Sequence, residues 1–139
     1  MIETVGVQVD MKARRAVRTI GEVAAELGVA PHVLRHWEDV GALTVRRDGN
    51  GHRRYDDAAV EQARTVRKLR RVGLSLPEVI AAMAPRKAAA QAVVRAKIAS
   101  LEAEIARRRE AVAFLRHTAE CRHRYLDECP DCASFARKD

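Results

Sequence analysis

Apolar residues recur along this chain in successive rhythms, and each rhythm predicts a different element. Val23, Ala24 and Leu27 share one side of a helical period, and Val33, Leu34 and Trp37 share one side of the next. Between Leu43 and Tyr55 that period is lost. Short segments containing Val45 and Tyr55 flank Asp48-Gly49-Asn50-Gly51, residues that tolerate the backbone of a tight turn. Helical spacing returns in Val60, Ala63, Val66 and Leu69, and again in Val79, Ile80 and Met83. The pattern predicts two short helices, a hairpin and two further helices.

Local chemistry sets the ends of these elements. Thr19 with Glu22 three residues later is a capping box, and Gly28 ends the first helix. Pro31 suits the first position of the second helix, although Ala30 before it is a poor cap. Only a few residues separate the two, the spacing of a helix–turn–helix. Asp56 or Asp57 can cap the third helix, Gly73 stops it, and Ser75 with Glu78 forms a second capping box. Pro85 marks the end of the globular unit.

Beyond Pro85 the composition shifts to Ala, Arg and Glu. Val94, Ile98, Leu101, Ile105, Arg108, Val112 and Leu115 alternate steps of four and three, a heptad seam with one polar interruption. A lone helix would leave this stripe wet. Val94, Ile98, Leu101, Ile105, Val112 and Leu115 are therefore expected to hold a second copy in a homodimer, the alternative being a helix folded back on the first domain. The expected fold class is mainly α. An N-terminal arm covers 1–17, a winged helix–turn–helix domain 18–85, a coiled-coil dimerisation helix 86–119 and a Cys/His-containing tail 120–139.

Charge narrows the function. The 139 residues include 26 Lys and Arg against 19 Asp and Glu, for a net charge of +7 and a pI of about 9.9. Such a balance suits an acidic partner, and Arg, which far outnumbers Lys, favours phosphate through its planar fork. The positive residues lie on the second helix, the hairpin and the third helix, whereas the first helix is acidic; a surface that is merely soluble mixes signs more evenly. His32, Arg35 and His36 on the second helix, with Arg46, Arg47, His52, Arg53 and Arg54 on the hairpin, are the candidates for contact with double-stranded DNA. No apolar run approaches the ~20 residues of a spanning helix, and Met1–Met11 lacks the basic start and apolar core of a signal peptide. A cytoplasmic protein without a membrane partner is expected. No hydrolytic triad, phosphate loop or paired carboxylate stands out, so no enzyme is expected either.

Three Cys cluster near the C-terminus in RHTAECRHRYLDECPDC. Cys129 and Cys132, two residues apart, can bite one metal from a tight turn, and Cys121 with His123 can complete a three-thiolate, one-imidazole set, His117 being the substitute ligand. Zinc (Zn2+) prefers that mixture, and another thiophilic ion such as Cu(I) or Hg(II) also suits thiolates. Reduced thiols in a loose tail, or a redox pair closing Cys129 to Cys132, are the alternatives.

The segments IGEVAAELGV, VLRHWEDVGAL, GHRRY and RKLRRVGLSLPEVIAAM, within Thr19–Met83, resemble the DNA-binding domain of the MerR family of bacterial transcription regulators. That resemblance implies a homodimer joined by an antiparallel coiled coil. It also implies binding to a pseudo-palindromic promoter, and control of RNA polymerase indirectly, by bending and untwisting the DNA. It places Arg35 and His36 on the recognition helix, and Arg47, Arg53 and Tyr55 on the wing. His52 and Trp37 stand where the family commonly has Tyr, and Val45 where it has Pro. At the start of the long helix Pro85, Arg86, Lys87 and Ala88 include no Cys, so the family's metal site across the dimer looks incomplete and a self-contained tail site is expected. The other readings are an architectural or accessory DNA-binding protein, and a metal- or redox-responsive sensor using the terminal thiols.

Overall fold

A computed structural model describes residues 17–124 and 126–138. The arm expected over 1–17 lies, apart from Val17, outside the described residues. The first helix, α1 (Ile20–Leu27), starts with both halves of its capping box closed: the Glu22 N–H donates to Thr19 Oγ1 at 3.3 Å, and the Thr19 N–H to Glu22 Oε2 at 2.8 Å. Gly28 ends it at φ 63°, a left-handed backbone that a side chain would strain. α2 (Pro31–Asp39) follows after three residues and has no side-chain cap, as Ala30 predicts.

The hairpin forms where the helical period lapses. β1 (Arg46–Arg47) pairs antiparallel with β2 (Arg53–Arg54), with Arg46 opposite Arg54 and Arg47 opposite Arg53. The Asp48 carboxylate accepts from the N–H groups of Asn50 at 3.0 Å and His52 at 2.9 Å, which winds the turn about one side chain. Arg18 and Tyr55 exchange two backbone hydrogen bonds of 2.8 Å, so the approach to α1 is laced to the end of the hairpin. α3 (Asp57–Arg71) is capped by Asp56, and α4 (Leu76–Ala82) by the Ser75–Glu78 box.

These elements enclose one core. Val23 and Leu27 of α1 meet Leu34 and Trp37 of α2, Val60 and Val66 of α3, Val79 of α4, and Tyr55 from the hairpin. The result is a winged helix–turn–helix: the core holds α2 and the hairpin in place and leaves their polar faces outward.

A second compact unit begins at Arg86. α5 (Lys87–Glu120) runs for 34 residues with none of them buried. The predicted seam is bare in the single chain, from Leu101 at 38% to Leu115 at 62% exposed. The tail is more ordered than its composition suggests. It contains α6 (Pro130–Ala136), whose Phe135 stacks on Phe114 of α5 with ring centroids 4.1 Å apart and 7° between planes. Seven residues give too short a period to read in advance, and the stack joins residues far apart in sequence. No helix among the described residues is long and apolar enough to cross a membrane.

Tyr55 is fully buried, yet its hydroxyl finds no hydrogen-bond partner among the described residues. Tyr55→Phe is therefore expected to leave stability unchanged or raise it by about 1 kcal/mol. Leu34→Ala, which opens a cavity beneath α2, should cost about 2–5 kcal/mol. Denaturant unfolding of the two variants checks both, and a large loss in Tyr55→Phe contradicts the account of the hydroxyl.

Candidate nucleic-acid interface and thiol cluster

Turning Leu34 and Trp37 into the core turns His32, Arg35 and His36 to the opposite side of α2, where all three are exposed. The hairpin meets this helix across a cleft lined by Arg35, His52, Arg53 and Arg54, with Thr19 and Ile20 at its other edge. Arg46 and Arg47 are exposed on β1. Eight of the nine side chains that the sequence nominates for DNA are thus at least partly exposed, Arg46 lying beside Thr44, Asp56 and Gln62 rather than in this cleft.

Tyr55 is the exception. It is a core residue at 0% exposure, so it supports the wing from inside and offers no surface to a duplex. Its phenol is held above its ordinary range by burial, then by the Glu38 carboxylate.

Glu38, which no sequence signal marks, and Asp48, expected only to form the turn, organise the arginines. Arg53 Nε donates to Glu38 of α2, which keeps the guanidinium still more firmly protonated, and Arg47 NH2 lies 3.5 Å from the other Glu38 oxygen. Arg54 Nε donates to Asp48 at 2.9 Å. The Asp48 carboxyl sits below its usual range, chiefly because the His52 N–H donates to it. Glu38 falls between Trp37 and Asp39 with nothing local to mark it; only the fold brings it to the hairpin. On α3, Arg64 pairs with Glu26 and Glu61, and Arg70 donates to the Leu74 carbonyl, so part of that basic face is committed within the domain.

The second constellation is assembled by the end of α5 and the start of α6. The donor atoms of His117, Cys121, Cys129 and Cys132 all lie within 4.8 Å of one another, and His117 Nε2 is 3.2 Å from Cys129 Sγ. His123 stands outside this quartet, its Nδ1 3.3 Å from Cys121 Sγ. The expected order of the two histidines is therefore reversed. His117 and Cys121 are four positions apart, so they share a side of the helix end, whereas His123 lies in the loop that follows. Cys129 and Cys132 are each 2% exposed.

Proximity splits the acidities of the thiols. The Cys132 backbone N–H, then the His117 ring, pull Cys129 from 9.0 down to about 6. Burial, then the neighbouring Cys129 sulfur, push Cys132 up to about 11. His117 is raised in turn by Cys129. A tetrahedral ion with ordinary Zn–S and Zn–N bonds holds its donors roughly 3.5–3.8 Å apart. The His117–Cys129 contact would have to open slightly and the widest pairs to close in, so the donors suit a thiophilic cation in number and chemistry.

Residues 18–85 match the family described as MerR HTH family regulatory protein. The heavy metal-dependent transcription regulator 2 of Rhizobium meliloti (strain 1021) is 33% identical over 120 residues, covering 81% of this chain and 80% of that protein. The chain spans less than half the length of other, longer relatives, 40% and 45% in two cases. Among solved structures, HiNmlR, a MerR family regulator lacking the sensor domain and bound to promoter DNA, aligns with a TM-score of 0.59. It is 19% identical, and the match covers 76% of this chain and 89% of that one. The transcription regulator PbrR691 from Ralstonia metallidurans CH34, in complex with lead(II), aligns at 0.55 with 25% identity over 84% and 98%. The chain belongs to the MerR family of helix–turn–helix regulatory proteins.

Proposed function

We propose that this protein is a homodimeric, promoter-binding transcriptional regulator whose C-terminal quartet holds zinc. The observation that carries the DNA part is the cationic face made by α2 and the hairpin on one rigid core. A helix set for the major groove beside a hairpin set for the backbone supplies both base contact and phosphate contact. Promoter DNA in the HiNmlR complex supports the same partner for this fold. The bare seam of α5 supports pairing with a second copy, because six apolar side chains at heptad spacing are exposed in one chain. Two winged domains joined in this way meet two half-sites. Control then works by changing the shape of the promoter, and RNA polymerase is affected through the DNA.

His117, Cys121, Cys129 and Cys132 would hold the metal, a closed four-donor set of the structural kind. When bound, the ion supplies a cross-link between the end of α5 and α6 and keeps the thiols as thiolates. Lead(II) on PbrR691 and the heavy-metal dependence named for the Rhizobium meliloti relative support a thiophilic metal here. Ordering of the tail at the end of the dimer helix is the route by which metal would alter domain spacing and DNA twist. Identical promoter topology with and without metal would remove this allosteric part.

Selection from genomic fragments should recover a pseudo-palindromic site, and Arg35→Ala should weaken binding to it by about 1–3 kcal/mol, roughly 5- to 150-fold. Loss of less than twofold would place Arg35 outside the interface. Ile105→Asp in the seam should yield a monomer by sedimentation and abolish binding to the paired half-sites; a stable dimer in this variant contradicts the seam.

For the metal, anaerobic purification should give about one zinc per chain, falling sharply in Cys129→Ser. In the metal-free protein, thiolate absorbance should rise with a midpoint near pH 6, and that step should vanish in Cys129→Ser. Because the folded thiol is the stronger acid, the stabilisation it brings is complete above its ordinary 9.0 and is lost as pH falls through about 6. A single step near 9 would contradict the cluster.

A further inference from the structure

We infer that the four hairpin arginines divide into two classes: Arg53 and Arg54 are positioning residues clamped by Glu38 and Asp48, and Arg46 and Arg47 take the phosphates. The inference rests on the DNA-binding reading and says which side chains carry its electrostatic part.

Register is the first ground. Each class faces the other across the ladder, Arg46 opposite Arg54 and Arg47 opposite Arg53. Like charges directly opposite on neighbouring strands repel, and strands of two residues have little else to hold them together. One carboxylate per pair offsets that repulsion.

The second ground is the asymmetry of the contacts. Arg53 and Glu38 are the shielded pair, their side chains 21% and 19% exposed, and Glu38 comes from α2, so the pair also sets the angle between hairpin and recognition helix. Drawing Arg53 onto a phosphate strips a half-buried carboxylate of its main partner, which is costly. Arg54 is tied to Asp48, the same side chain that winds the turn. Arg47 is held less firmly, although its exposure is close to the 40% of Arg54. Its side chain is 49% exposed, it reaches Glu38 only at 3.5 Å, and it keeps a second bond to the Gly51 carbonyl at 3.1 Å. A phosphate replaces so loose a partner without leaving Glu38 unpaired, since Arg53 stays on it. Arg46 is exposed on the same strand.

The test uses the full chain and a random-sequence duplex of about 30 base pairs, because phosphate contacts do not depend on sequence. The measured quantity is the slope of log K against log salt from about 50 to 200 mM, where each phosphate contact contributes about 0.9, or about 3.5-fold in affinity across that range. Arg47→Ala should flatten the slope by about 0.9 per subunit. Arg53→Ala should weaken binding while leaving the slope unchanged. Glu38→Gln, which keeps every arginine and removes the clamp, should free Arg53 for the duplex and steepen the slope by a similar amount. It also stands as the deciding variant if Arg53→Ala fails to fold. An equal flattening in Arg53→Ala and Arg47→Ala, or an unchanged slope in Glu38→Gln, overturns the division of labour and leaves the DNA reading intact. No binding by the parent chain even at about 50 mM salt overturns both.

Discussion

Positive charge crowded onto a very small hairpin is the constraint around which the first domain is organised. Four arginines face one another in two cross-strand pairs, with His52 at the turn and Arg35 across the cleft. Left alone, such a ladder would open by repulsion. Glu38 counters this by lying against both Arg47 and Arg53, and Asp48 by accepting from Arg54, and they do so from fixed positions, one on α2 and one in the turn. Charge and structural integrity are thus coupled within one ladder, and the carboxylates set how firmly Arg47, Arg53 and Arg54 are held.

Rigidity comes from beneath. Tyr55 inside the core and the double hydrogen bond between Arg18 and Tyr55 fasten the hairpin to the approach to α1. Leu34 and Trp37 fasten α2 to the same core. The two surfaces that would touch a duplex are thus positioned by shared packing, which is what a site that must match the spacing of two grooves requires.

The second unit follows a different logic. α5 has no buried residue of its own, so its seam depends on a neighbour, whereas its C-terminal end already has one in α6. Stacked Phe114 and Phe135 and the His117–Cys129 contact bring soft donors together where α5 ends at Cys121 and α6 starts after Cys129. The split in thiol acidities, Cys129 lowered to about 6 and Cys132 raised to about 11, leaves the first sulfur much the readier to ionise.

Much of this architecture was legible in the residues themselves. Caps at Thr19, Asp56 and Ser75, the stop at Gly28, the turn at Asp48–Gly51 and the heptad steps of α5 all act within about one or two turns of chain, so the sequence by itself determined α1 to α5 and the hairpin, their order and the faces that α1 to α3 bury, whereas Ile80 of α4, which the spacing turns inward, is exposed. What only the tertiary structure decided are meetings between distant residues. Glu38 reaches Arg53 across 15 positions, and His117 reaches Cys129 across 12. Tyr55 lies inside although its neighbours Arg53 and Arg54 are partly exposed. His117, not His123, lies close to all three cysteines, and α6 is placed by an aromatic stack that no local pattern announces. Periodicity and capping are properties of a segment; pairing and burial are properties of the surfaces that segments present to one another once packed.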